Sequence, residues 1–170
     1  MIIKVQGCTI RPVEQNEAEL EQVLAVYRQC EDFLALGPVA TASLEMIAAD
    51  LALSRHKGGT FCAIEGLESG EMVGVVDFVC GGFEGDPELA FLSLLMIAAP
   101  HRNRGLGAAV VRGVEDAIRD DSRARAIRSG VQANNPGGIR FWHRMGYHII
   151  SGAEPLADGT VAFNLWKKIT

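Results

Sequence analysis

The chain has 170 residues, with 16 Lys plus Arg against 21 Asp plus Glu and a formal charge of −5 at neutral pH. That balance excludes a generic nucleic-acid binder, whose surface carries an excess of positive charge. Its 48% apolar, 22% charged and 6% aromatic residues exclude disordered, collagen-like and coiled-coil compositions. A chain of this length buries roughly 70% of its unfolded surface, so one domain over residues 1–170 needs no metal or disulfide staple.

Cys8, Cys30, Cys62 and Cys80 form no C-x-x-C pair and have no matching His-x-x-x-His, which argues against a metal site. They read as reduced core thiols, and therefore as those of a cytoplasmic protein. The start, Met1-Ile2-Ile3-Lys4-Val5-Gln6, lacks a secretory pattern, and the longest uncharged apolar run, Leu89 to Pro100, is too short to span a bilayer. No membrane partner is expected.

In chain order, Ile2 to Arg11 reads as one extended strand ended by Pro12. A helix is expected from Val13 to Phe33, with Leu20, Val23, Leu24, Val26, Tyr27 and Phe33 at helical spacing and Glu14, Glu17 and Glu19 near its start. A second helix, capped by Thr41 or Ser43, carries Leu44, Ile47, Ala48, Leu51 and Leu53 and stops at Gly58-Gly59. Thr60 to Glu65, Glu71 to Cys80 and Glu88 to Ala98 read as three strands joined by glycine-rich turns, hence as antiparallel hairpins. The third is apolar on both faces, as a covered central strand should be. A helix after Gly105-Leu106-Gly107 and a strand at Ala126 to Gln132 complete a β-α-β crossover. A short helix at Gly137 to Arg144 and strands at Tyr147 to Ser151 and Val161 to Lys168 end the chain. The final strand, if exposed, invites pairing with a second copy.

The most informative stretch is Leu95-Met96-Ile97-Ala98-Ala99-Pro100-His101-Arg102-Asn103-Arg104-Gly105-Leu106-Gly107-Ala108. Glycines at 105 and 107 allow close backbone approach, and unpaired N–H groups at a helix start attract phosphate oxygens. Arg102 and Arg104 add positive charge there. The fragment fits a dinucleotide fingerprint poorly, because Val110 occupies the third small position. The Gly-Lys-Ser/Thr of a nucleotide-hydrolysing loop is missing.

The pattern Arg102-x-x-Gly105-x-Gly107 resembles the coenzyme A signature of the GNAT N-acetyltransferase superfamily. Downstream, Asn135-Pro136-Gly137-Gly138-Ile139-Arg140-Phe141-Trp142-His143-Arg144-Met145-Gly146-Tyr147 resembles that family's second motif. The resemblance implies an α/β (α+β) fold, a mixed, mostly antiparallel sheet with helices on both faces and a splayed strand pair that binds acetyl-coenzyme A. It implies transfer of acetyl to a primary amine, of a small molecule or a peptide N-terminus, by direct attack on the thioester. The pantetheine would pair with Leu95, Met96 and Ile97, a strand N–H would stabilise the oxyanion, and the diphosphate would lie on residues 102 to 108, with Asn135 bonding the coenzyme. Where many relatives carry a tyrosine acid, this chain has Trp142, whose indole is no effective acid and which is expected to pack on the cofactor arm or core; Tyr147 or water could assist. For the base that deprotonates the amine, Asp77 and then Glu88 are the candidates, against solvated strand and hairpin charges as the plain alternative. Acids in the turns Glu31-Asp32-Phe33-Leu34 and Phe83-Glu84-Gly85-Asp86 would suit a cationic acceptor. Two other readings stay open: a coenzyme-loaded sensor without catalysis, and a nucleotide-binding fold unrelated to acyl transfer.

Overall fold

Gly7 adopts φ +71°, a left-handed conformation that turns the first extended stretch back on itself. The expected single strand is therefore a hairpin, β1 (Ile3–Val5) and β2 (Cys8–Pro12), with Val5 opposite Cys8. The computed structural model describes residues 1–121 and 123–169.

The first helix is shorter than its periodicity predicts. The amide of Val13 continues the extended pairing by donating to Phe61 O, and Asn16 then caps α1 (Glu17–Arg28) by accepting from Glu19 N at 2.9 Å. The chain breaks at Gln29 and Cys30 and resumes as a single turn, α2 (Glu31–Leu34). Ser43, of the two expected caps, accepts from Met46 N and starts α3 (Leu44–His56).

The sheet strands follow: β3 (Thr60–Gly66), β4 (Met72–Val79) and β5 (Leu89–Ile97) run antiparallel. Helix α4 (Leu106–Asp121) crosses over to β6 (Ala126–Gln132), which is parallel to β5. Helix α5 (Pro136–Arg144) precedes β7 (His148–Ile149), shorter than expected, then an added short strand β8 (Glu154–Pro155) and β9 (Val161–Lys168). The order across the sheet is β1-β2-β3-β4-β5-β6-β9-β7, with β8 also on β9. Strand β9 thus lies inside the sheet between β6 and β7, so the final strand is not the free edge that a second copy would need.

Helices cover both faces. On one, Val23, Tyr27, Ile47 and Leu51 of α1 and α3 pack on Ala63, Val75 and Met96. On the other, Val110, Val114 and Ile118 of α4, Trp142 of α5 and Met145 just after it pack on Ile64, Val76, Phe78 and Leu92. A register shift sets Asp77 opposite Leu94 but Phe78 opposite Leu92, leaving Ser93 as the extra residue of a bulge. The bulge changes the phase of β5: Ala90 and Leu92 join the α4 side, while Leu94 and Met96 join the α1–α3 side. Because both faces of β5 are covered, it reads as apolar on both sides. No helix among the described residues is long and apolar enough to cross a membrane.

Candidate active site

Beyond the bulge, β5 and β6 part company. They pair only from Leu89/Ala126 to Leu92/Ser129; thereafter β5 stays with β4, and β6 stays with β9 through Gln132/Ala162. Ser129 Oγ donates to Leu92 O at 2.9 Å at the fork, satisfying the last shared carbonyl. A cleft of about 1500 Å³ opens between the parted strands, and Leu95, Met96, Ile97 and Val131 line it. Ala98 N donates to Val73 O, so alternate residues Met96 and Leu94 direct their main chain to β4, and Leu95 and Ile97 direct theirs into the cleft. Ile97 O is already occupied, accepting from Arg102 Nε at 2.7 Å and from Cys30 Sγ at 3.4 Å. The unclaimed strand edge is therefore centred on Leu95, and Met96 contributes its side chain alone.

At the end of β5 the chain passes through a single 3-10 turn at Ala99–His101 into the loop before α4. Asn103 and Gly105 take φ +60° and +80°, and the amides of residues 103 to 108 have no main-chain acceptor among the described residues. A row of N–H groups at a helix start, part of it in left-handed conformation, is an anion-binding concavity. Asn103, Gly105, Gly107 and Ala108 line the cleft; Leu106 faces the core, and Arg104 is exposed at the surface. Gly107 lies against Phe141, whose ring atoms would sit 3.6 and 3.7 Å from a Cβ placed there.

Arg102 departs from its expected role. Its terminal nitrogens donate to Asp32 Oδ2 at 2.6 Å and Oδ1 at 3.0 Å and to Gln29 O at 3.3 Å, so its charge is directed at α2 and not at the amide row. The second motif is also reassigned in detail. Asn135 lines the cleft, but its Oδ1 accepts from Gly138 N at 2.8 Å and caps α5. Trp142 is 8% exposed and meets Phe141 and Tyr147 edge-on, with ring centroids 5.2 and 4.9 Å away. It is a core residue whose rim reaches the cleft.

Of the three candidate proton-transfer residues, the structure brings one to the cleft. Asp77 is 4% exposed, lines the cleft and accepts from Ser54 Oγ at 2.6 Å. Burial raises its carboxyl above the ordinary range, while the Ser54 and Ser93 hydroxyls and Lys57 hold the shift back. Glu88 lies at the opposite end of β5, exposed, where its carbonyl receives Arg125 N and Ala126 N. Tyr147 is buried outside the cleft, beneath Lys167 and beside Glu115, and burial followed by that carboxylate drives its phenol pKa upward. A phenol there is not at hand to protonate a leaving group.

The structure adds groups that sequence reading missed. Asp50, on α3 one turn before Ser54, lines the cleft and accepts from Tyr27 Oη at 2.6 Å. Burial raises its carboxyl too, with Asp77 adding to the rise. Its signal was a polar residue beside the apolar stripe of an amphipathic helix, the usual mark of a solvated face. Arg112 of α4 and Phe141 of α5 also line the cleft; Arg112 follows Gly105 by two helical turns and shares its side of the helix. The turn acids are engaged internally: Asp32 with Arg102, Glu84 with Arg128, Glu31 with Ala42 N, Asp86 with Glu88 N. No group of metal-binding side chains occurs among the described residues.

A profile described as the acetyltransferase (GNAT) family matches residues 17–147. No curated protein matches the sequence. The fold is similar to an acetyltransferase from Thermus thermophilus, with TM-score 0.76 and 21% identity over 97% of this chain and 99% of that one. It is similar to the Salmonella typhimurium acetyl transferase that modifies the N-terminal serine of ribosomal protein L7/L12 (TM-score 0.77, 14% identity, 100% of both chains). It is similar as well to spermidine N-acetyltransferase from Vibrio cholerae, solved with CoA and spermine (TM-score 0.71, 13% identity, 95% of both chains). The forked β5–β6 pair, the open amide row after it and the family match over most of the chain have one reading: this chain belongs to the GNAT acetyltransferase family and is an acyltransferase.

Proposed function

We propose that the protein transfers acetyl from acetyl-coenzyme A to a primary amine, and that the fork between β5 and β6 is the place of transfer. One observation carries this reading: an unpaired strand edge at Leu95 leads directly to an anion-binding row of amides at 103 to 108. A ligand with an amide-bearing arm and a diphosphate matches both in sequence. Bound there, acetyl-coenzyme A supplies a thioester carbonyl. The N–H of Leu95 faces the cleft and is available to stabilise the negative charge that develops on that carbonyl oxygen. Arg104 in the loop and Arg112, which lines the cleft from α4, are the cations that would add charge on the phosphate side, and Phe141 backs Gly107.

On the acceptor side, Asp77 is the base. An alkylammonium has a pKa of about 10.4 and must lose its proton before attack; a buried carboxylate with a raised pKa accepts it more readily than a solvated one. The departing thiolate, with a thiol pKa of about 8.5, needs no side-chain acid, in keeping with the positions of Trp142 and Tyr147. Asp50 and Asp77 together place two carboxyls on the cleft wall, and these, not the paired turn acids, favour a cationic acceptor. Salmonella and Vibrio relatives named for a protein N-terminus and for spermidine mark the two kinds of amine in question. The buried thiols of Cys8, Cys30 and Cys62 support a reducing, cytoplasmic setting.

The test has two arms. Thermal protection by acetyl-coenzyme A, but not by NAD or ATP, is expected. Thiol release from acetyl-coenzyme A with a panel of polyamines, amino acids and peptides is expected to favour cationic acceptors. Protection without thiol release from any amine would make the protein a coenzyme sensor; equal rates with neutral and cationic amines would remove the electrostatic argument.

A further inference from the structure

Arg102 opens the loop that precedes the amide row, yet its side chain leaves that row entirely. Four contacts engage four of its five N–H groups: Ile97 O, both oxygens of Asp32, and Gln29 O. The two carboxylate bonds are bidentate, the geometry that the planar guanidinium matches and an ammonium does not. What the contacts join is specific. Ile97 is the last residue of the strand edge that faces the cleft, Gln29 ends α1, and Asp32 belongs to α2. Helix α2 is a single turn with no side-chain cap and no fully buried residue, held to the α1–α3 core only by the partly buried Phe33 and Leu34. The same two residues line the cleft.

We propose that Arg102 and Asp32 form a clasp that holds α2, and with it the cleft wall at Phe33 and Leu34, against the end of β5. Asp32 is then a positioning residue for the acceptor, and Arg102 is a strut and not a ligand of the diphosphate. With one N–H left, the guanidinium cannot be bidentate on a second anion without releasing Asp32. Only the word acceptor rests on the acyl-transfer reading; the clasp does not.

Asp32→Asn and Asp32→Glu, with Arg102→Lys, test it through three readouts: amide hydrogen exchange, coenzyme A affinity by calorimetry, and steady-state kinetics with the best amine. In Asp32→Asn, exchange at residues 29 to 36 quickens while that at 103 to 108 does not. Acceptor KM rises about five- to tenfold, the effect expected of a bidentate, partly exposed ion pair, with kcat less affected and coenzyme A Kd within about twofold of the starting protein. Asp32→Glu restores most of the KM, and Arg102→Lys repeats the Asn phenotype because an ammonium cannot span both oxygens. Tighter coenzyme A binding in Asp32→Asn would overturn the proposal, since Asp32 would then have been competing with the diphosphate for Arg102. Unchanged exchange and KM would overturn it as well. If no amine is acetylated, the acyl-transfer reading fails, and the exchange and affinity readouts still judge the clasp.

Discussion

Gly105 and Gly107 separate backbone conformation from steric room, and alanine at each should have opposite effects. At Gly105 φ is +80° and a Cβ would meet nothing within 4 Å, so alanine is opposed by conformation alone. Holding an L-residue in the left-handed region costs about 1–2 kcal/mol. In a protein of this size each kcal/mol shifts Tm by about 2–4 °C, and Gly105→Ala that keeps the loop should lose about 2–8 °C. If the loop relaxes to negative φ instead, Tm recovers and the amides turn away from the anion. Losing one hydrogen bond to a charged group costs about 1.5–3 kcal/mol, or about ten- to hundredfold in coenzyme A Kd. Stability or affinity must suffer. At Gly107 φ is not left-handed, and the new methyl would lie in ordinary contact with Phe141 and, at 3.9 Å, with Ile97. Gly107→Ala should gain up to about 0.5–1 kcal/mol from helix propensity and keep coenzyme A Kd within about twofold. Differential scanning calorimetry and titration calorimetry measure both. A Gly105→Ala protein unchanged in Tm and Kd would refute the argument that left-handed geometry aims the amide row, and so would Gly107→Ala behaving like it.

Asp77→Asn should lower kcat by about 10²–10⁴, the usual contribution of a positioned base, and abolish the acidic limb of the pH–rate profile, which in the starting protein rises above the ordinary carboxylate range. Stability should run the other way. Because burial raises Asp77 and Asp50 in the folded state, the folded protein holds protons that the unfolded chain releases. Their contribution to stability is present below the unfolded carboxyl pKa of about 3.9 and is lost as pH rises through the raised values; urea titrations of Asp77→Asn should show a shallower decline in that window. Tyr147→Phe should leave kcat unchanged and stability within about 1 kcal/mol, since the hydroxyl lies outside the cleft and has no well-formed hydrogen bond; a tenfold fall in kcat would restore the tyrosine as an acid. Gly113→Val should cost about 1–3 kcal/mol by overpacking, because a Cβ at Gly113 on α4 would collide with Val5 Cγ1 and crowd Ile3 on β1; chemical denaturation reads it directly.

Most of the fold was legible along the chain. Strands β3, β4, β5, β6 and β9 and helices α3, α4 and α5 lie within one or two residues of where periodicity and turn residues put them. The misses were local competitions. Gly7 folded an apolar run that reads as one strand, and Asn16 moved the start of α1 by capping it after Val13 had paired with Phe61. The amide row was legible as well, because Arg102-x-x-Gly105-x-Gly107 encodes backbone conformation, and backbone conformation is set by neighbours in sequence.

Side-chain destinations were not legible in that way. Alternation along β4 could not tell whether Asp77 met solvent or Ser54 of a helix 23 positions away, and Asp50 looked like an ordinary polar residue on an amphipathic helix. Arg102 carried a charge whose partner, Asp32, lies 70 residues distant. The sequence by itself determined the central strands, the helix that follows the glycine-rich loop and the family. Only the tertiary structure decided which carboxyls face the cleft and that Arg102 pairs with Asp32, because those choices depend on contacts between segments that meet only when the sheet has assembled.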